Sequence, residues 1–272
     1  MKIKVLITAY KDTQVIIGSK ILFAFSFWLT KILSFLQQRS ALLNNLIHSF
    51  VRFLPKPTFT IQNMSGVFQV QVFDDSTTIC SDYFEKQLRG WLTAPETKDI
   101  FVDIGANRGI YTVIAPTLFE YQTVHSFEPN PSVVTLLTKN IELNHLEKKV
   151  TVHNSALGET VGVLPFTCDP MHLGGGRIVS STSSETISVP VEVFDQLTPN
   201  IPPERISFIK IDTEGFEQSV LNGMKVTLAN MRPGSCIMIE STELPVIQSY
   251  LGTYGFILEK SSEHDHLFKK YA

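Results

Sequence analysis

The sequence is short of most features that mark a specialised scaffold. Only three of its 272 residues are cysteine (Cys80, Cys168 and Cys236), widely spaced and without a CxxC pair, so a disulfide framework is not expected and a reducing compartment is. Charged residues make up only 18%, and the net charge of -3 has the wrong sign for a protein built to hold duplex nucleic acid. Fifteen glycines and fourteen prolines are ordinary numbers, which excludes collagen-like and low-complexity chains. No internal repeat is visible. No long apolar run is free of charge either: Val15 to Leu36 is long enough to cross a bilayer, but Lys20 and Lys31 leave only ten uncharged residues, Ile21 to Thr30. What is present in quantity is apolar side chain, 43% of the chain, enough to offset the entropy of ordering and so to exclude disorder. The length suits one large α/β domain with an appendage.

The small net charge conceals two unlike pieces. Eight of the 23 basic residues and one of the 26 acids (Asp12) lie in residues 1–60, a balance of +7, while the other 212 residues hold 15 and 25, a balance of -10. In the basic piece Ser19, Ser26, Thr30, Ser34 and Gln37 draw a narrow polar stripe along a helix through Val15 to Leu36. A second apolar stretch, Ala41 to Leu54, stops at Pro55 and Pro57. Three roles suit this basic amphipathic extension, residues 1–57: a cap packed on the rest of the protein, a helix lying in a membrane surface with its lysines toward anionic head groups, or an anchor. A cleaved leader fits less well, because QQRSALLNN offers no small-x-small site. The expected location is cytoplasmic, with a peripheral membrane position through residues 15–54 as the variant. Residues 58–96 read as a small β-rich bridge (TFTIQNMSGVFQVQVF) followed by a short helix, Tyr83 to Leu92.

Beyond residue 97, short β-rich runs alternate with helical stretches, the pattern of a doubly wound α/β sheet. Strands are expected at Ile100 to Ile104, Thr123 to Glu128, Val150 to His153, Ile206 to Ile211 and Cys236 to Glu240. One helix follows at Ile110 to Phe119, disturbed at Pro116, and another starts at Asn130-Pro131, with Asn as N-cap and Pro at the first helical position. Two alternating runs, Val163 to Thr167 and Ile187 to Phe194, flank an expected loop containing Gly174, Gly175 and Gly176.

Chemistry concentrates in a few strings. FVDIGANRGIYT, Phe101 to Thr112, is a strand ending in Asp103, a turn with Gly105 and Gly109, and a helix start. The glycines permit a tight turn with close backbone approach, and the helix N-terminus faces a ligand. Nineteen residues beyond Gly109 a second strand ends at Glu128, where a carboxylate can accept both ribose O–H bonds of a nucleotide. A dinucleotide turn would have a middle glycine, absent from this G-x-x-x-G, and Asp103 would repel a pyrophosphate. An adenosine ligand bearing a cationic group suits Asp103 better, and S-adenosylmethionine is one. In IDTEGFE, Asp212 ends a buried strand at the edge where open α/β sheets bind ligands, with Glu214 in the turn after it. Glu217 reads as an acid favoured by the helix dipole and Asp195 as an N-cap or turn former. Glu240 stands between candidate base and simple strand-terminal charge. His264 and His266 read as a polar edge, with no metal site expected.

From about Thr97 to Glu240 the chain resembles the FkbM-like methyltransferases, a group within the class I S-adenosylmethionine-dependent enzymes. The resemblance rests on FVDIGANRGIYT, FEPNP, NSALGE at Asn154 to Glu159, and IKIDTEGFEQSVLNG at Ile209 to Gly223, the last being the most specific. It implies a Rossmann-like class I methyltransferase sheet over residues 97–272 with S-adenosylmethionine as cofactor. Asp103, Gly105 and Asn107, with Gly109 in the same turn, would line the methionine end; Glu128 would hold the ribose, Ser155 and Ala156 would border the adenine, and Asp212 would lie beside the methyl group. The implied activity is O-methylation of a hydroxyl on a sugar, glycolipid or secondary metabolite, so the expected partner is a small-molecule or glycan acceptor and not nucleic acid. Asp212 or Glu214 would take the hydroxyl proton, with His172 as an alternative base and Arg177 shaping the acceptor pocket. Two other classes compete: a non-catalytic nucleotide-pocket module at a membrane, and a nicotinamide-dependent oxidoreductase.

Overall fold

Seven strands from residue 100 onward assemble into one large sheet whose central members are buried on both faces. The structure, a computed structural model, describes residues 14–17, 28–29, 32, 58–71, 85–169, 172–181 and 186–271. In the large sheet β4 (Ile100–Ile104), β5 (Thr123–Phe127), β6 (Val150–His153), β11 (Ile206–Ile211) and β12 (Cys236–Glu240) run parallel, and β13 (Phe256–Ser262) and β14 (Asp265–Lys270) form an antiparallel hairpin at one side. The order is β13-β14-β12-β11-β4-β5-β6, with the sequence jump between β4 and β11 in the middle. Every residue of β4 and β11 is buried, as expected of parallel strands covered on both sides. This doubly wound architecture is the Rossmann-like α/β sheet expected from the alternation.

The register sorts the side chains onto two different faces. Val102, Ile209 and Ile237 lie side by side, as do Ile104, Ile211 and Ile239, on a face packed with Phe194, Val220, Leu221, Leu228 and Leu251. These come largely from helices α4 (Glu217–Asn222), α5 (Lys225–Asn230) and α6 (Leu244–Gly252). The opposite face carries Phe101 stacked on Phe208 at 5.6 Å near its base and the polar pair Asp103 and Lys210 in register above them. Helix α2 (Ile110–Leu118) covers this face; it is buried from Ile110 to Pro116, and Pro116 stands two residues before its end. Helix α3 (Pro131–Leu143) begins as its sequence requires, with the Asn130 side chain accepting the Ser132 N–H at 3.0 Å and Pro131 at the first position. Ahead of β4, a single α turn, α1 (Lys86–Arg89), continues into a 3-10 turn, Gly90–Thr93.

The chain divides into two units, Met1–Phe84 with Asp169–Gly174, and Glu85–Cys168 with Gly175–Ala272. The first contains a three-stranded antiparallel sheet in chain order, β1 (Gln14–Ile17), β2 (Thr58–Asn63) and β3 (Gly66–Gln71). Phe59 opposite Val70 and Ile61 opposite Phe68 bury one face of the β2-β3 hairpin. The start of the N-terminal apolar stretch, Gln14–Ile17, is thus strand where the sequence suggested helix, and its β-branched Val15, Ile16 and Ile17 explain the preference. Trp28, Leu29 and Ile32 are helical; the rest of the expected amphipathic extension lies outside the described residues. Among the described residues no helix is long and apolar enough to cross a membrane.

A second sheet, ordered β7-β10-β8-β9, is built from β7 (Ala156–Leu157), β8 (Gly162–Asp169), β9 (His172–Ile178) and β10 (Thr186–Glu192). Gly174, Gly175 and Gly176 therefore lie in a strand and not in the loop expected from composition. Glycine has little preference of its own, so the neighbouring strand decides the conformation. Asp195 does act as a cap, but for a distant helix: its carboxylate accepts the N–H groups of Val226 and Thr227, each at 2.8 Å, at the start of α5.

Candidate active site

The turn after β4 has its donors already committed. The N–H groups of Gly105 and Ala106 both donate to the Phe127 carbonyl at 3.0 Å, that of Asn107 donates to Glu128 Oε2 at 2.9 Å, and that of Gly109 to Ala106 O. Gly105 has φ +76°, and a Cβ there would stand 1.8 Å from the carbonyl oxygen of Asp212, so this glycine lets the ends of β4 and β11 close on each other. Gly109, at φ +83°, would bring a Cβ to 2.3 Å from Leu137 Cδ1; it spaces α2 from α3. The close approach expected of these glycines is therefore to neighbouring protein, and the turn offers few N–H groups to an anion.

What it offers instead is oxygen. Asp103, buried at the end of β4, accepts the Thr112 hydroxyl on Oδ2 at 2.7 Å, and its Oδ1 is buried without a partner. Asn107, held at φ 52°, likewise has a buried Oδ1 without a partner. Two orphaned acceptors beside a turn poor in donors fit an ammonium group and not a pyrophosphate. The residues present therefore fit the methionine end of S-adenosylmethionine, with Asp103 and Asn107 as its acceptors. They do not fit a dinucleotide.

Glu128 follows β5 and is buried. Its two oxygens accept the N–H groups of Asn107 and Asn130, both at 2.9 Å, so it ties the β4 turn to the start of α3. Burial is the main influence on its carboxyl and pushes it up to about 7, against the pull of those two N–H groups. Asn154 donates to the carbonyls of Glu128 and Pro129, binding the end of β6 to the end of β5. Next along the chain, the Ser155 hydroxyl donates to Glu192 of β10, and Ala156 pairs with Val191.

The other group lies at the ends of β11, β12 and β14. Lys210, buried within the apolar run ISFIKI, places its Nζ 2.9 Å from Asp212 Oδ2 and 5.0 Å from the centre of the Tyr111 ring. Burial opposes the charge on Lys210, yet Asp212, Asp103 and Glu85 together hold its pKa above the ordinary lysine value. Tyr111 in turn donates to Glu85 at 2.7 Å. Beyond Asp212 the chain turns through Glu214 at φ 56° and Gly215 at φ 102°. Glu217 clamps that turn: its Oε1 accepts from the Thr213 N–H, the Thr213 hydroxyl and the Gly215 N–H. Glu217 stands in the first turn of α4, where the helix dipole favours an acid, and it also shapes the turn that presents Glu214. Glu240 and Asp265 stand opposite each other across β12 and β14. His266 is buried with its ring bonded to Ser261 and to the Ser241 carbonyl, and His264 is exposed, so the pair serves the strand edge. The side chain of His172 lies outside the described residues.

The structure thus gathers Asp103, Gly105, Asn107, Gly109, Glu128, Asp212 and Glu214 along the carboxyl ends of β4, β5 and β11, with Ser155 and Ala156 after β6. Sequence reasoning left out Lys210, Tyr111, Glu85, Asn154 and Asp265. For Lys210 a signal existed, since a lone lysine in an otherwise apolar buried strand must find anions.

Residues 103–268 match the Methyltransferase FkbM domain. Methyltransferase 1 of Beauveria bassiana is 25% identical over 194 residues, 59% of this chain and 77% of its own length. Hexuronic acid methyltransferase AglP of Haloferax volcanii is 26% identical over 173 residues, 64% of this chain and 66% of its own. The solved structure of the methyltransferase FkbM from Methylobacillus flagellatus aligns with a TM-score of 0.46 at 18% identity, over 62% of this chain and 42% of that one. The domain match takes in more than half of the chain and every strand of the large sheet except the start of β4 and the end of β14: the protein belongs to the FkbM methyltransferase family, whose methyl donor is S-adenosylmethionine.

Proposed function

We propose that the protein methylates a hydroxyl group of a sugar, glycolipid or other metabolite. The observation that carries this reading is the division of the site into two halves. Orphaned oxygens of Asp103 and Asn107 and the carboxylate of Glu128 suit the cofactor, while the carboxylates of Asp212 and Glu214 follow β11 at the same sheet edge and are assigned to the acceptor. When bound, the cofactor supplies an electrophilic methyl group on a sulfonium that leaves as a neutral thioether. The protein has to align the acceptor oxygen, exclude water and take up a proton.

In this reading Asp212, paired with Lys210 at 2.9 Å, faces the positive end of the donor. Glu214, presented by a left-handed backbone turn, accepts hydrogen bonds from acceptor hydroxyls. One relative is named for hexuronic acid, which supports a glycan acceptor. Asp212→Asn and Glu214→Gln should each bind S-adenosylmethionine in calorimetry while transferring its radiolabelled methyl group at least about tenfold more slowly to a panel of free and lipid-linked sugars. Full activity in both variants would remove these carboxylates from the mechanism. Cofactor binding without transfer by the unaltered protein would favour a non-catalytic module.

We place the enzyme in the cytoplasm, with residues 97–272 as the catalytic domain, residues 58–96 as a bridge and the basic residues 1–57 as a membrane-surface or capping extension. The +7 balance of residues 1–60 supports attraction to anionic lipid. Flotation of the full chain with phosphatidylserine-containing liposomes should be reduced several-fold by the Lys20→Glu, Lys31→Glu double change; equal flotation would favour the cap.

A further inference from the structure

Methyl transfer to an alcohol needs a base, and the carboxylates on this site differ in their fitness for it. Asp212 is tied to Lys210 at 2.9 Å, so one of its two oxygens is already committed to a cation. Glu214 is exposed on its turn. Glu240 ends β12 between two other carboxyls: Asp212 follows β11, whose Ile211 pairs with Ile239, and Asp265 faces Glu240 from β14. In that register the Asp212 and Glu240 positions lie beside each other at the ends of β11 and β12. The backbone just beyond it is pinned on both sides, since Ser241 N donates to His264 O at 2.8 Å and the Ser241 carbonyl meets the buried His266 ring at 3.1 Å. Glu240 is therefore half-buried, held on a rigid strand end, and has no cation paired with it among the described residues.

We propose that Glu240 is the catalytic base of the methyl transfer, with Asp212 and Asp265 as positioning residues that flank its carboxyl. The inference rests on the methyltransferase reading above. As the new C–O bond forms and the S–C bond breaks, the acceptor's O–H proton passes to the Glu240 carboxylate. The sulfonium becomes a neutral thioether and the base a neutral acid, so charge balances without any further reactant. The groups facing Glu240 are Asp212 and Glu214 from the β11 end and Asp265 from β14, with Lys210 and Glu85 acting one residue further away on Asp212 and Asp265. Burial first, and then Asp212, Asp265 and Glu214, push the Glu240 carboxyl up to about 8, and burial with Glu85 and Asp212 pushes Asp265 up to about 7. A base tuned to the operating pH is the efficient one, and an ordinary carboxylate is too weak.

The test uses the full chain, S-adenosylmethionine and the sugar panel named above. Glu240→Gln should keep cofactor affinity within about twofold and lower kcat about 100-fold. It should also remove the acid limb of the kcat profile. Asp265→Asn, which takes away a neighbouring negative charge, should move that limb to lower pH by roughly half a unit or more. A readout independent of turnover is the carboxyl 13C signal of glutamate-labelled protein. Two carboxyls, those of Glu128 and Glu240, should titrate near neutrality; one of them should vanish in Glu240→Gln and that same signal should titrate at lower pH in Asp265→Asn, while the other stays in both variants. Near-normal kcat in Glu240→Gln, or an acid limb that Asp265→Asn leaves in place, overturns the proposal while the methyltransferase reading stands. Absence of cofactor binding by the unaltered chain overturns both.

Discussion

Glu128→Ala should weaken S-adenosylmethionine binding about a thousandfold, the value of two charge-assisted hydrogen bonds of about 2 kcal/mol each. The ionised carboxylate has roughly four lone-pair sites. Two are used by the N–H groups of Asn107 and Asn130, and two remain for the ribose diol. The same side chain holds the turn in shape and, on the proposed reading, would also accept from the sugar. Alanine removes both functions, and glutamine, which replaces one acceptor by a donor facing an N–H, should recover little of the affinity. Because burial raises the Glu128 carboxyl to about 7, the form that accepts both ribose hydrogens is lost as pH falls through neutrality. Calorimetry on the unaltered protein should therefore show affinity dropping several-fold from pH 8 to pH 6, and the alanine variant should show none of that dependence. Equal affinity in the variant and the parent protein, with melting temperatures also equal, would remove Glu128 from the cofactor site.

Much of this site was legible in the sequence because its elements are local. The strands β4, β11 and β12 are short apolar runs bounded by turn residues, and α3 announces itself with Asn130-Pro131. Glu128 and Asp212 follow from strand ends, since a charge directly after a buried strand must lie at the sheet edge, and Asp103 is one residue short of such an end. The hairpin β13-β14 was not legible: FILEKSS and DHLFKK mix charge with apolar residues, as a strand with one exposed face does, and HDH drew attention to its histidines instead of Asp265. Gly105 looked like a ligand turn, whereas its constraint comes from Asp212, 107 residues away along the chain. Asp195 looked like a local cap and serves a helix 30 residues further on. In each case the missing information was which distant segment packs alongside, and that is decided by the register of the whole sheet.

That register also explains why polar groups survive inside a sheet that is otherwise hydrocarbon. Ser126, Asp103 and Lys210 lie side by side on β5, β4 and β11, on the face covered by α2. Thr112 of that helix bonds both Ser126, at 2.8 Å, and Asp103, and Tyr111 lies over Lys210. A polar seam so arranged leads from the interior to the turn after β4 on one side and to Asp212 at the end of β11 on the other. Its members are individually costly to bury, and they persist because each supplies the next with a partner.

Lys210 is the member on which the rest depend, and Lys210→Met should destabilise the protein by about 3–5 kcal/mol, the cost of breaking a buried ion pair from one side. Methionine matches the lysine stem in volume, so packing beside Tyr111 is kept and the loss is electrostatic. The folded-state pKa of Lys210 is raised, so its stabilisation is complete below the unfolded-state lysine value of about 10.4 and does not fade anywhere between pH 5 and 9. The variant behaves differently across that window. Without the ammonium, the carboxyl of Asp103, already raised by burial, loses a neighbouring cation, so the folded state takes up a proton there more readily as pH falls. Urea denaturation should therefore show a deficit that is largest at pH 8 and shrinks towards pH 5. Adding Asp212→Asn to Lys210→Met should restore part of the lost stability, although Asp212→Asn alone destabilises. A deficit of equal size at both pH values, or strictly additive losses in the double variant, would mean that Lys210 matters for its packing and not for the charge it places among these carboxylates.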